Sequence, residues 1–311
     1  MSIYRSNLPQ LSGKVCITDG GMETDLIFNR NITLPEFASY DLLRTQAGYE
    51  MLYNYYKAYA ELAQQYKLGL VLETPTWRAN RDWGKKIGDS LASLHEINLQ
   101  GVKLVEHIKQ DFQTEDTPII ISGCIGPRGD GYKAESLMPV SVAQVYHATQ
   151  IESFAKCNTD MVSAYTLNYV EEAIGITLAA KLYNLPVCIS FTVETDGRLP
   201  TGEALAQAIK NVDEATQNGP VYYMINCAHP THFADILSDE QCMKRLKGVR
   251  ANASSCSHAE LDEAEVLDDG NPQELGQQFA DIRSHFPHIN VIGGCCGTDY
   301  RHIEQIVVCC A

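Results

Sequence analysis

Eight short apolar runs rich in β-branched residues, most of them separated by stretches of helical periodicity, constrain this chain more than any other feature. The runs lie at 14–18, 69–74, 118–122, 160–165, 186–193, 221–226, 248–251 and 290–293. Helical periodicity occupies 49–67, 91–109, 142–156, 170–183 and 203–216. Strands that alternate with helices pair in parallel, and eight such units predict a single (β/α)8 TIM barrel over residues 1–311. An open doubly wound sheet would carry a glycine fingerprint after its first strand. The segment here, Asp19-Gly20-Gly21-Met22-Glu23-Thr24, is not one. The long spacer between the first two strands predicts an elaborated loop around 29–43. The acidic stretch 260–269 reads as a solvated insertion before the last helix.

Composition narrows the function classes. A 45% hydrophobic and 20% charged chain of 311 residues is that of a globular protein. No apolar run reaches the roughly 18–20 residues that cross a bilayer. The opening Met1-Ser2-Ile3-Tyr4-Arg5-Ser6-Asn7 lacks the apolar core of a secretory signal. A formal charge of −15 disfavours nucleic acid and membrane surfaces and leaves small molecules as the expected partners. Eleven cysteines without short Cys-framed loops point to a reduced, cytoplasmic protein with some thiols bound to metal. Cys16, Cys124, Cys157 and Cys188 sit in or beside apolar segments and read as packing. Cys309 and Cys310 are expected in a frayed tail, and oligomeric state stays open.

The chemistry concentrates at strand ends, which in a barrel share one face. Strand one runs into Asp19, strand two into Glu73-Thr74 and strand three into Gly123. Strand six ends at Asn226-Cys227 and strand eight at Gly293-Gly294-Cys295-Cys296-Gly297-Thr298. A regular strand would point Cys295 and Cys296 to opposite faces. The flanking glycines allow the backbone, positive φ included, to turn both sulfurs one way. Three thiols and one open position describe a catalytic zinc site better than a structural one. A redox-active vicinal pair at Cys295–Cys296 and a non-catalytic zinc- or thiol-binding barrel are the alternatives.

These motifs, with Glu73-Thr74-Pro75-Thr76-Trp77 and 122–129, resemble those of the homocysteine S-methyltransferase family across nearly the whole chain. The resemblance implies a zinc-dependent barrel that methylates the sulfur of homocysteine to give methionine. It further implies Cys227, Cys295 and Cys296 as both zinc ligands and catalytic residues, with Asp19 contacting the substrate ammonium and Asn226 beside it. Relatives carry a glutamate for that ammonium on strand four, where this chain has Tyr165. Glu73 is then either a replacement carboxylate or a strand-end acid paired with Arg78. Among small activated methyl donors the reading favours S-methylmethionine or S-adenosylmethionine over betaine, because no multi-aromatic cage is legible.

Secondary candidates surround this core. Trp77 offers a π face to a cationic donor, and Arg78 and Arg128 could clamp a carboxylate. The glycines at 123, 126, 129 and 131 could admit a phosphate. His229 and His232 read as supporting groups behind the ligands. The segment 190–199, with Glu194, Asp196 and Arg198, is expected at the barrel mouth without an assigned role.

Overall fold

The structure, a computed structural model, describes residues 2–310 apart from 136, 239 and 265. Eight parallel strands close into a barrel in sequence order: β1 (Cys16–Ile17), β2 (Gly69–Glu73), β3 (Ile119–Ile125), β4 (Met161–Leu167), β5 (Val187–Phe191), β6 (Tyr222–Ala228), β7 (Leu246–Ala251) and β8 (Val291–Gly294). The ring closes where Cys16 pairs with Val291 and Ile17 with Ile292. All eight expected strands are present. Strand three continues past Gly123 to Ile125 because Gly123, Cys124 and Ile125 pair with Val162, Ser163 and Ala164.

The first two long helices combine an apolar stripe with a side-chain cap. Helix Gln46–Gln65 begins at Thr45, whose side chain accepts from Gly48 N. Its buried residues Leu52, Tyr55, Tyr56, Tyr59, Ala60 and Ala63 recur at three- and four-residue spacing. Ser90 and Ser93 form a reciprocal box at the start of Leu91–Phe112. Helices Val140–Ala155, Val170–Leu182 and Leu205–Thr216 follow β3, β4 and β5. The crossover from β6 to β7 is made by the short helix Pro230–Phe233 and two 3-10 turns.

The expected long first loop is built of a π-helical turn, Asp25–Asn29, and two 3-10 segments, Pro35–Phe37 and Ser39–Arg44. The acidic stretch 260–269 departs from expectation. It contains the end of helix His258–Asp262 and is followed by two further helices, Pro272–His285 and Tyr300–Cys310. Its residues Leu261, Asp262, Leu267 and Asp268 line the central cavity rather than a purely solvated insertion; residue 265 lies outside the described residues. Cys309 and Cys310 close an ordered helix, with Arg283 Nη1 donating to the Cys310 carbonyl, so the tail is not frayed.

The N-terminal segment covers the end of the barrel away from the strand tips. Asp160, fully buried just before β4, accepts from Tyr4 N at 3.1 Å, Ile121 N at 2.8 Å and Lys109 Nζ at 3.0 Å. Removing one member of such a pair leaves an uncompensated buried charge and costs on the order of 3–5 kcal/mol. Asp160→Ala is therefore expected to lower the unfolding free energy measured by urea titration by an amount in that range, seen as a lower midpoint, while leaving metal content unchanged. A midpoint equal to that of the parent protein would contradict this account.

Candidate metal centre

Strand β6 delivers Asn226 and Cys227. Its register against β7 slips between Asn226 and Ala228, and Cys227 takes φ 53°. A non-glycine residue in the left-handed region is strained by on the order of 1 kcal/mol. Asn226 supports the bulge with most of its hydrogen-bonding capacity. Its Oδ1 accepts from Thr166 N at 2.8 Å and Ser190 Oγ at 2.7 Å, and its Nδ2 donates to Thr166 Oγ1 at 2.8 Å. The same Nδ2 lies 3.8 Å from Cys295 Sγ. Thr166, also left-handed at φ 61°, marks a matching slip in β4. Behind the bulge, His258 Nε2 meets the Cys227 carbonyl at 2.6 Å.

The glycines of β8 act mainly through size. A Cβ at Gly293 would collide with Thr18 Oγ1, and one at Gly294 with Thr298 Oγ1. Of the flanking glycines only Gly297, at φ 79°, uses positive φ. The tight packing seats the turn that carries Cys295 and Cys296. Thr298 Oγ1 donates to the Cys295 carbonyl at 2.7 Å, and Gly297 N donates to Thr24 Oγ1 at 3.1 Å.

The sulfurs of Cys227, Cys295 and Cys296 all lie within 4.8 Å of one another. Cys227 and Cys296 are 3.8 Å apart, the edge expected when two sulfurs sit about 2.3 Å from one tetrahedral zinc. Cys227 and Cys295 are joined as a disulfide with Cα atoms 5.4 Å apart, and Cys296 is free. The vicinal 295–296 pairing considered from sequence is thus not the one formed. Reduction by two electrons and two protons leaves three thiols on one point, a donor set that suits a soft divalent metal. Burial pushes the Cys296 thiol up, although the Tyr132 hydroxyl 3.5 Å away pulls the other way. A cation at the centre would reverse that balance, since metal coordination deprotonates a thiol.

Charge lies beside the sulfurs. Arg250, at the end of β7, donates from Nη2 to Asp19 Oδ1 at 2.6 Å, and its guanidinium carbon is 5.1 Å from the Tyr165 ring centroid. Tyr165 donates its hydroxyl proton to Glu73 Oε1 at 2.9 Å, whereas Glu73 Oε2 is buried without a partner among the described residues. Burial pushes Glu73 up to about 7, outweighing Arg250, the Tyr165 hydrogen bond and the influence of the nearby Ser122 and Ser163 hydroxyls. Glu73 and Tyr165 come from β2 and β4, alternate strands of one barrel layer. Asp19, Glu73, Tyr165 and Arg250 line one cavity of about 620 Å³ together with the three cysteines.

A family model described as homocysteine S-methyltransferase matches residues 16–310. The chain belongs to that family. Similar solved structures include the homocysteine methyltransferase MmuM from Escherichia coli in oxidized, metallated and apo forms. They are 17%, 18% and 17% identical with TM-scores of 0.75, 0.74 and 0.66, covering 95% of this chain and 96% of theirs. At that identity the likeness speaks for the barrel fold alone.

Within this member of the homocysteine S-methyltransferase family, the residues singled out from sequence divide by location. Asp19, Glu73, Tyr165, Asn226 and the three cysteines all line the cavity. Asn226 has its polar atoms engaged by protein and acts as a positioning residue. Asp19 is already paired with Arg250, and Glu73 pairs with Tyr165 rather than Arg78. Arg128 points elsewhere, bound to Asp82 at 2.6 Å. Gly123 and Gly126 are packed against Phe154 and Trp77, which leaves them no phosphate-binding opening. Burial draws His229 down to about 4, and it caps Pro230–Phe233, while His232 meets the Ser255 carbonyl. Glu194 reaches His258 Nδ1 at 3.3 Å, which gives the unassigned segment a link to Cys227.

Arg250, Glu23, Tyr132, Trp83 and His258 escaped the sequence reading. Arg250 carried a signal, since it lies at a strand end within the run 248–251. Glu23, Trp83 and His258 lie in short helices and Tyr132 in a loop, and their approach to the site depends on tertiary packing. Asn226→Ala removes the support of the Cys227 bulge, and loss of such outer partners typically weakens metal about 10–100-fold. Competition titration with a chromogenic chelator on reduced protein is expected to show that loss, and an unchanged affinity would contradict the positioning role.

Proposed function

We propose that this protein is a zinc-dependent S-methyltransferase that transfers a methyl group from a small sulfonium donor to homocysteine, forming methionine. Cys227, Cys295 and Cys296 would hold the zinc, and the full span 1–311 is read as one homocysteine-binding barrel domain. The observation that carries this reading is the convergence of three sulfurs from β6 and β8 on one wall of an acid-lined cavity. When bound, zinc would keep the substrate sulfur as a thiolate while three cysteine thiolates leave it electron-rich and nucleophilic. Nine of eleven cysteines are free, which fits a reducing cytoplasm. Among the described residues, no helix is long and apolar enough to cross a membrane.

The chain's own groups account for substrate placement. The unpartnered Glu73 oxygen is suited to the homocysteine ammonium, with Tyr165 orienting the carboxylate from its other side. Arg250 neutralises Asp19, which makes Glu73 the better ammonium site. The thiolate attacks the donor methyl carbon in line. A carbon–sulfur bond forms as the donor's bond breaks, and the electron pair stays on the donor sulfur as a neutral thioether. The thiol proton passes to solvent.

The cavity wall bears on the donor. Asp19, Glu23, Glu36, Glu73, Asp130, Asp262 and Asp268 face it, against Arg78 and Arg250 as its guanidinium groups. That excess of negative charge attracts a cationic donor. The faces of Trp77 and Trp83 are stacked on Arg78, which argues against an open aromatic cage for betaine. S-Methylmethionine and S-adenosylmethionine remain the favoured donors.

Metal-loaded, reduced protein incubated with homocysteine and each donor is expected to yield methionine by mass spectrometry. Chelation should abolish the product, and zinc should restore it. Cys296→Ala should lose both stoichiometric zinc and turnover; full activity in that variant would defeat the ligand assignment. Stoichiometric zinc without product from any pair would instead favour a binding protein.

A second test uses pH. Glu73 must be ionised to attract an ammonium, so its raised pKa places the loss of affinity on the acid side. The KM for homocysteine is expected to fall as pH rises through about 7 and then level off. Glu73→Gln should remove that inflection and raise KM on the alkaline side. An identical profile in the variant would reject this role for Glu73.

A further inference from the structure

We propose that Arg78 is the receptor for a ligand carboxylate in this cavity, and so restricts the enzyme to amino-acid-type substrates. The inference rests on the methyltransferase reading above and deepens it. Arg78 lies just beyond β2 and is only 9% exposed, yet it lines the cavity. Its guanidinium is stacked between two indoles, with Cζ 4.0 Å from the Trp77 centroid and 3.6 Å from that of Trp83. Stacking fixes the plane of the fork but satisfies none of its N–H groups. Nε and Nη1 are buried with no hydrogen-bond partner among the described residues.

That combination is costly unless something completes it. A buried donor without an acceptor forfeits its hydration, and a buried cation forfeits more. Burial draws the guanidinium down to about 10, against the opposing influence of Asp130, Glu23 and Glu36, so it remains charged at neutral pH. Those acids are felt through space. None forms an ion pair with Arg78 among the described residues, whereas the neighbouring Arg128 is paired with Asp82. A planar guanidinium in the cavity lining, with two N–H-bearing nitrogens unpartnered, matches the two oxygens of a carboxylate. Arg78 and the three cysteines line the same cavity.

The carboxylate could belong to the thiol acceptor or to the methyl donor, and matched ligands separate the two. Homocysteine is compared with 3-aminopropane-1-thiol, and S-methylmethionine with (3-aminopropyl)dimethylsulfonium, each pair differing only in the carboxylate. Wild-type protein is expected to prefer at least one carboxylated partner by about tenfold or more in kcat/KM. Arg78→Met, which keeps an unbranched chain beside the indoles, should erase that preference by raising KM for the carboxylated partner to that of its decarboxylated counterpart. A rise confined to homocysteine's KM assigns the carboxylate to the acceptor, and one confined to the donor's assigns it to the donor. Arg78→Lys should recover part of the preference, and it takes over the test if the Met variant fails to fold.

A turnover-free arm separates failure of this inference from failure of the methyltransferase reading. Calorimetric titration with methionine and with 3-(methylsulfanyl)propylamine should show the carboxylated ligand bound more tightly by wild type and equally by Arg78→Met. Wild type that transfers methyl groups but does not distinguish the members of either pair overturns the role of Arg78 alone. So does an Arg78→Met protein that keeps the wild-type preference. Wild type that binds methionine selectively but transfers nothing overturns the reaction and leaves the receptor standing.

Discussion

The Asn226 amide is the join on which the sulfur cluster depends. One side chain ties β4 to β6 through both the backbone and hydroxyl of Thr166, and it reaches β5 through Ser190. Those bonds lock the bulge that puts Cys227 in the left-handed region and its sulfur beside the β8 turn. Buried hydrogen bonds of this kind contribute on the order of 1 kcal/mol each, enough together to outweigh the strain of one such residue. Without them a regular strand would carry residue 227 away from the other two sulfurs. The cluster also depends on strand order, because β6 and β8 both pair with β7 and so end at one mouth.

Electrostatics divides the cavity into regions with different work to do. Arg250 offsets Asp19 inside the barrel, so that carboxylate is neutralised at the place where the family resemblance led one to expect an ammonium contact. Glu73 carries the unpartnered oxygen instead, and Tyr165 supplies its hydrogen bond. A glutamate at 165 would set two carboxylates against each other in a dry layer, a costly arrangement. The tyrosine is compatible with an acid displaced from β4 to β2. Elsewhere in the lining, Arg78 holds the opposite charge beside two indoles.

Much of the architecture could be read directly from residue order. The eight apolar runs each became a strand, and the five periodic stretches each became a helix, with boundaries shifted by a few residues. Periodicity reports burial, and burial in a barrel is regular. The irregular parts were misjudged for the same reason. The stretch 260–269 looked solvated by its charge, yet Leu261 and Leu267 face the cavity because the loop folds back over the mouth. Cys309 and Cys310 looked frayed by position, yet they finish a helix with its own buried face.

The candidate site was legible only where chemistry was written in adjacent residues. Asn226-Cys227 and Gly293-Gly294-Cys295-Cys296-Gly297 announced themselves as strand-end thiols among glycines. That Gly293 and Gly294 serve close packing against Thr18 and Thr298, with positive φ confined to Gly297, required coordinates. The sequence by itself determined the alternation of elements, the thiols available and the family. Tertiary structure alone decided which sulfurs meet, that Arg250 takes up Asp19, and that Arg78 has no anionic partner among the described residues. Local pattern encodes which face of an element is buried; it carries no record of what lies across a barrel, where the partners are separated by tens to hundreds of residues.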